Sequence, residues 1–416
     1  MGDSAPVRLP AVRWLSPTEL IRTGVTVVLG STVAAYADKR DVMAGTTFAQ
    51  GVPVHEADGS GEFWFDFLCD TGDGFRAMAT VATLLGAPEL AVDGVVLPRG
   101  QVLLMGGDEV YPVAGTLAYE QRLESPLQEQ FVRDPGADPP TVYAIPGNHD
   151  WYDGLTAFLR VFCQGRHVAG WDTDQRRSYF ALALPRGWWV LAIDIQLDTY
   201  VDATQLEWFR EVVSTIPDGD RIVLLTAAPA WYGAQDGDDR SMDRLAFFLR
   251  DVLAERELPV RLVLTGDTHH YARYSLDDDE QVLVTAGIGG AYTSPTHFLP
   301  PTLDVTTDLA APGPQRATGT HRYVRRPRTS PTEKTSRAEA VKVLWRLPLR
   351  NGLLLPLLVL LPALVIVPWV LGVPAVSVIA GLAVAGGSYA FVVPQRAGRL
   401  RRIALGLALT IPELAV

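Results

Sequence analysis

Four short segments of this 416-residue chain place acids, Asn or His directly after a hydrophobic run. They are Asp70-Thr71-Gly72-Asp73-Gly74, Gly107-Asp108-Glu109-Val110-Tyr111, Gly147-Asn148-His149-Asp150 and Gly266-Asp267-Thr268-His269-His270. Carboxylates, amide oxygens and imidazoles are the ligands that borderline divalent metals accept. An Asp reaching between two ions holds them about 3.5–4 Å apart, the separation that clamps the attacking and leaving oxygens of a phosphoryl displacement. The chemistry expected is therefore hydrolysis at a metal centre. Any one loop alone is ordinary turn chemistry, since Asp-Gly is a common turn pair. Asn148-His149-Asp150 after Pro146-Gly147 is more specific, and the four in order carry the reading.

To converge, such loops need a common platform. The apolar runs before them (63–68, 102–105, 141–145 and 261–264) read as buried parallel strands. In an open α/β sheet, ligands bind beyond the carboxyl ends of the strands, where loops from separate strands meet. Helices are expected over 75–85, 116–123, 155–162, 203–215 and 242–256, with further strands over 178–184, 188–193, 222–226 and 282–286. This alternation predicts an α/β layered domain, the later strands forming a second sheet.

The four loops resemble the pattern of the calcineurin-like metallophosphoesterase superfamily. Asp70-Thr71-Gly72 with Gly107-Asp108-Glu109-Val110-Tyr111 is similar to its purple-acid-phosphatase variant. Asp70-Thr71-Gly72-Asp73-Gly74, Gly147-Asn148-His149-Asp150-Trp151-Tyr152-Asp153-Gly154 and Gly266-Asp267-Thr268-His269-His270-Tyr271 are similar to a membrane-attached branch. The resemblance covers roughly residues 62–297 and implies a layered β-sandwich flanked by helices. It implies two divalent ions drawn from Mn, Fe, Mg or Zn, with Asp70, Tyr111 and His269 holding the first, Asp108 bridging, and Asn148 binding the second. His149, oriented by Asp150, would act as general acid or stabilise the transition state, and a metal-activated hydroxide would attack phosphorus.

Two departures stand out. A lone His loop should follow the strand at 222–225, but the chain reads Thr226-Ala227-Ala228-Pro229, and Asp267 replaces the first His of Gly-His-x-His. The second metal site then loses two imidazoles and gains one carboxylate at best, which favours manganese or magnesium over zinc. Asp73 and His297 are candidate replacements, against the plainer readings of a turn-forming Asp and a loop His. His270 points away from His269 if that stretch is extended, whereas in a bend both reach the cleft and His270 is a further candidate. Trp151 and Tyr152 either wall the pocket or pack in the core.

Charge is unevenly distributed. Residues 316–350 carry ten Lys/Arg against two acids and residues beyond 350 carry about +3, so a total of −11 leaves about −22 on residues 1–315. An acidic body without a basic stripe argues against nucleic-acid binding by that domain, and none is expected. Two cysteines, Cys69 and Cys163, make no disulfide framework and read as buried thiols. Residues 353–394 carry no charge, long enough for a transmembrane hairpin with helices near 353–371 and 375–393. Arg346 and Arg350 before it, and Arg396, Arg399, Arg401 and Arg402 after it, place both flanks and the large domain on the cytoplasmic side of the membrane. Residues 24–37 read as an amphipathic helix running into Asp38-Lys39-Arg40, rather than as a signal peptide. The expected organisation is a lead-in at 1–60, the metallophosphoesterase domain at 61–300, a basic Pro-containing linker at 301–350, the hairpin at 351–394 and a basic, apolar tail at 395–416. The expected function is a membrane-anchored, metal-dependent phosphoesterase acting on a phosphorylated small molecule or lipid. The alternative is a catalytically weak or inactive binding or sensor module at the membrane.

Overall fold

The computed structural model describes residues 8–33, 51–130, 140–195, 201–234, 240–253, 256–276, 280–305, 320–350, 352 and 354–378. Its architecture follows from central strands that are largely apolar and buried, so that both faces must be covered. In one sheet, β1 (Phe65–Leu68), β4 (Val102–Met105), β5 (Thr141–Ala144) and β7 (Trp171–Asp172) run parallel in that order, with β6 (His167–Val168) antiparallel at the edge. The other sheet has the order β14-β15-β12-β13-β11-β10-β9-β8, formed by Thr302–Val305, His321–Ser330, Tyr271–Ser275, Val282–Ala286, Val260–Thr265, Arg221–Thr226, Trp188–Ile193 and Phe180–Leu184. Its central strands β9, β10, β11 and β13 are parallel. A separate hairpin joins β2 (Glu89–Val92) to β3 (Val95–Pro98) through Asp93-Gly94, both with positive φ as such two-residue turns require.

The side-chain period of two sorts each strand between two cores. Val102 and Leu104 of β4, Tyr143 of β5, and Val223 and Leu225 of β10 fill the space between the sheets. Their neighbours Leu103, Met105, Val142 and Ala144 face the helices Phe75–Gly86 and Thr156–Phe162. Ile222 and Leu224 face the helices Ala203–Thr215 and Arg240–Leu253 on the far side. The result is four layers, helix, sheet, sheet, helix, with the expected α/β sandwich at the centre. Cys69 and Cys163 are buried and unpaired.

Three expectations change. The stretch read as a linker supplies strands β14 and β15 and the helix Glu333–Arg350. Leu303, Val305 and Tyr323 are fully buried there, an alternation that the surrounding arginines conceal. Pro327 is accommodated because the β12–β15 pairing shifts register between Ala272 and Tyr274, where no ladder hydrogen bond is needed. Second, the C-terminal hairpin is not supported. Its first arm is the helix Leu354–Val370, 17 residues long, which at about 1.5 Å per residue reaches about 25 Å against a hydrocarbon core of about 30 Å. Among the described residues no helix is long and apolar enough to cross a membrane. The second arm lies outside the described residues beyond 378. Third, the N-terminal helix is Pro17–Val33, opened by Ser16, whose Oγ accepts from the Glu19 N–H at 3.3 Å; its expected continuation to residue 40 lies outside the described residues.

Candidate metal centre

Five strands end side by side and hand their chains to the loops: β1 to Asp70, β4 to Asp108, β5 to Asn148, β10 to Ala227 and β11 to Asp267. Backbone hydrogen bonds tie neighbouring loops within each sheet, Asp70 N–H donating to Gly107 O (3.0 Å) and Gly266 N–H to Ala227 O (2.9 Å), while Gly289 N–H donates to Cys69 O (2.9 Å) across the two sheets. Asp267 N–H crosses to Asp70 Oδ2 at 2.9 Å. The approach is tight enough to require glycine: a Cβ on Gly266 would stand 2.4 Å from Cys69 Sγ, and one on Gly287 2.6 Å from Asp70 Oδ2.

Asp70, Asp108, Asp267 and His269 have φ of 58°, 55°, 64° and 47°. Left-handed backbone costs an L-residue roughly 1–2 kcal/mol, though Asp and His tolerate it better than most. Four such residues around one point mark a place where side-chain direction outweighs backbone comfort.

Asp70, Asp108 and His269 bring potential ligand atoms within 4.8 Å of one another, all buried. The Tyr111 hydroxyl lies among them, 2.9 Å from Asp70 Oδ1, 3.2 Å from Asp108 Oδ2 and 3.0 Å from His269 Nε2. His269 Nε2 is 3.2 Å from Asp70 Oδ1, while its Nδ1 is 3.0 Å from Tyr292 O. An Nδ1–H held on a backbone carbonyl fixes the tautomer that leaves Nε2 free for a cation. The Asn148 amide turns its NH2 toward Asp108 Oδ1 and Oδ2 (3.2 and 3.0 Å), and its oxygen accepts from Tyr152 Oη at 2.9 Å.

Electrostatics argue for a missing positive charge. Burial pushes the Asp108 carboxyl far above its ordinary value, and the charges of Asp70 and Asp150 push it further. Burial and then Asp150 raise Glu109 in the same way, and burial lifts Asp150 to about 7. Among the described residues none of Asp70, Asp108, Glu109 and Asp150 pairs with Lys or Arg. Buried charges persist when paired or when they coordinate metal, so this donor set fits a divalent cation. Adding manganese at about 100 times its Kd should stabilise the folded chain by about 2.7 kcal/mol. Differential scanning calorimetry checks this as a rise of several degrees that chelator reverses; no rise with any divalent metal would oppose the site.

The other sequence candidates separate. His149 stands at the centre's edge, its N–H donating to Asp108 Oδ1 at 2.9 Å and its ring 4.5 Å from Tyr111. The partner that orients His149 is the Pro112 carbonyl, 2.6 Å from Nδ1. Asp150 instead turns inward, accepting from Gly147 N–H (2.8 Å), Glu109 N–H (3.3 Å) and the Tyr119 hydroxyl, so it braces two loops rather than the imidazole. Burial lowers His149 to about 4, outweighing the raising effect of Pro112. Asp267 opens to solvent at the cleft mouth, yet the protein packed around it and the Asp70 charge lift it to about 6. Its carboxylate is outside the Asp70–Asp108–His269 group.

Asp73 is used elsewhere: its Oδ1 accepts from Trp14 Nε1 at 3.1 Å and Val12 N–H at 3.3 Å. His270 turns away, onto Thr268 O (2.8 Å) and Tyr232 Oη (3.1 Å). His297 sits against the helix Glu333–Arg350, its Nδ1 2.7 Å from Ser336 Oγ. Trp151 packs in the core and donates to Asp194 Oδ1 at 3.0 Å, whereas the Tyr152 ring lies 5.0 Å from His149 and walls the site. Ala227 lies where the fourth loop was expected to carry a His, its methyl 3.1 Å from where a Cβ on Gly107 would be. Sequence reasoning missed Glu109, although it adjoins Asp108, and missed Trp14 and Tyr292, which carry no local signal.

A family model described as calcineurin-like phosphoesterase matches residues 64–271. No curated protein matches the chain. Among solved structures, GAP50, the anchor in the inner membrane complex of Plasmodium, aligns with a TM-score of 0.38 at 15% identity, over 56% of this chain and 75% of that one. PhoD aligns with a TM-score of 0.34 at 11% identity, over 54% of this chain and 56% of that one. The chain thus spans little more than half the length of PhoD.

Proposed function

Because this chain belongs to the calcineurin-like phosphoesterase family, we propose that it is a metal-dependent phosphoric ester hydrolase. The observation that carries this reading is the buried cluster of Asp70, Asp108 and His269, with ligand atoms within 4.8 Å and no Lys or Arg partner among the described residues. Asp70, His269 and Tyr111 would hold a first divalent ion, Asp108 would serve both positions, and Asn148 with Asp267 would form a weaker, oxygen-rich second site. Bound there, a divalent metal supplies a Lewis acid and lowers the pKa of water toward neutrality.

The remaining roles belong to the chain. His149, held through Nδ1 by Pro112 O, leaves Nε2 to exchange a proton or hydrogen bond with the leaving oxygen. A phosphate dianion beside it offsets the burial that keeps the ring neutral. To offer its amide oxygen to an ion, Asn148 would donate its NH2 to Tyr152 Oη, 2.9 Å away, and His269 is locked by Tyr292 O. The substrate is a phosphate mono- or diester of a small molecule or lipid. The uncharged 353–394 stretch and the arginines on both sides of it support attachment to a membrane with the domain on the cytoplasmic side.

A second reading, a weak or inactive binding module, rests on Ala227, which removes an imidazole from the second site. Hydrolysis of chromogenic phosphate mono- and diesters by the full chain separates the two. The hydrolase reading expects turnover with manganese that chelator abolishes; folded, metal-loaded protein without turnover would favour the binding module.

A further inference from the structure

The segment ahead of the first helix lies across the metal centre. Leu9 O accepts from Phe75 N–H at 3.0 Å. Val12 N–H and Trp14 Nε1 both donate to Asp73 Oδ1, and a Cβ on Gly74 would stand 2.6 Å from Ala11 Cα. Arg8 meets Glu129 at 3.3 Å, but this guanidinium is 68% exposed and adds little hold. The strap is fastened at the buried carboxylate of Asp73 and at Phe75, whose N–H holds Leu9 O and whose ring lies 5.0 Å from the Arg8 guanidinium, and not through the core.

What this fastening presents to the site is the Trp14 ring. It stands edge-on to Tyr111 (5.7 Å), His149 (5.8 Å) and Tyr292 (6.0 Å). Tyr292 in turn lies 4.2 Å from His269, and Tyr152 5.0 Å from His149. Three aromatic rings thus collar the two histidines, while Asp70, Asp108, Tyr111 and His269 lie beneath at 4% exposure or less. The collar borders the approach to them, and Trp14 is the member carried by the segment ahead of the first helix.

We propose that Trp14 is the specificity-determining residue of the site, a movable wall that favours phosphate esters whose leaving group offers a flat aromatic face over aliphatic ones. Aromatic rings prefer edge-to-face or offset partners, and an arriving aryl group exchanges one such contact for another. An alkyl group displaces the indole without replacing it. This inference rests on the phosphoesterase reading.

The test uses the full chain as wild type, Trp14→Ala, Trp14→Phe and Asp73→Ala, each checked for fold by circular dichroism. One readout needs no metal: carbethoxylation of His149 by diethyl pyrocarbonate, followed by peptide mass. Labelling should be about tenfold faster in Trp14→Ala and Asp73→Ala and close to wild type in Trp14→Phe. The other is the ratio of kcat/KM for p-nitrophenyl phosphate to that for glycerol 2-phosphate. That ratio should fall about tenfold in Trp14→Ala, through KM, an effect on the scale of one lost aromatic contact. Unchanged labelling, or equal losses for both esters in active enzyme, would overturn the role of Trp14. Absence of turnover in every version would instead remove the phosphoesterase reading and the selectivity with it, while labelling still reports whether Trp14 covers His149.

Discussion

Asp108→Asn is expected to lower metal-dependent ester hydrolysis about 10³-fold or more and, in the metal-free chain, to raise the thermal midpoint. The two effects have opposite signs because one carboxylate serves two states. With metal, Asp108 would be a ligand, and Lewis-acid stabilisation is worth several kcal/mol, each 1.4 kcal/mol or so being a factor of ten. Without metal, burial beside Asp70 and Asp150 drives the Asp108 carboxyl well above the ordinary range, so folding near neutral pH must either desolvate its charge or take up a proton. Asparagine keeps an oxygen for the His149 N–H, which donates to Asp108 Oδ1 at 2.9 Å, and carries neither cost. A gain of about 1 kcal/mol would appear as roughly 2–4 °C for a domain of this scale. Calorimetry with and without manganese, beside the chromogenic assay, checks both halves. Retained turnover would remove Asp108 from the metal site, and a lower metal-free midpoint would contradict the charge argument.

The second large effect separates two neighbours. His149→Ala should reduce kcat by about 10²–10⁴-fold, the usual cost of removing a positioned proton-transfer group, with metal-induced stabilisation intact. Asp150→Ala should act first on stability. It strands Gly147 N–H, Glu109 N–H and the Tyr119 hydroxyl, all buried, and each unsatisfied buried group costs about 1–3 kcal/mol. A fall of at least about 2 kcal/mol in urea unfolding is expected, with lost activity following the loosened loops. If Asp150→Ala instead kept its stability and matched His149→Ala in kcat, Asp150 would be the orienting partner after all, and the Pro112 contact would be incidental.

Ala227 and Asp150 show the two ways in which the site was legible. That the loop after β10 lacks an imidazole could be read directly, because Ala227 follows the strand whose loop was expected to carry the His, and β10 ends there with its chain beside Gly107 and Gly266. The role of Asp150 could not. Its position next to His149 suggested a pair, but the short helix Asn148–Trp151 points consecutive side chains in different directions, sending His149 toward Pro112 and Asp150 toward Tyr119. Adjacency in a chain is not contact.

The same distinction runs through the whole molecule. Local pattern by itself determined the strands that end in ligands, since an apolar run followed by Gly and Asp records both the burial of a strand and the turn after it, within a few residues. It determined the α/β layering for the same reason. Only the tertiary structure decided which acids meet, that Asp73 fastens a strap while Glu109 is buried beneath the centre, and that Trp14 covers His149 from 135 positions away. It also decided that β15 completes the large sheet rather than serving as a linker, because a strand among arginines is recognisable only once β12 and β14 flank it. Those contacts depend on how two sheets meet at their carboxyl ends, a packing outcome that no window of sequence contains.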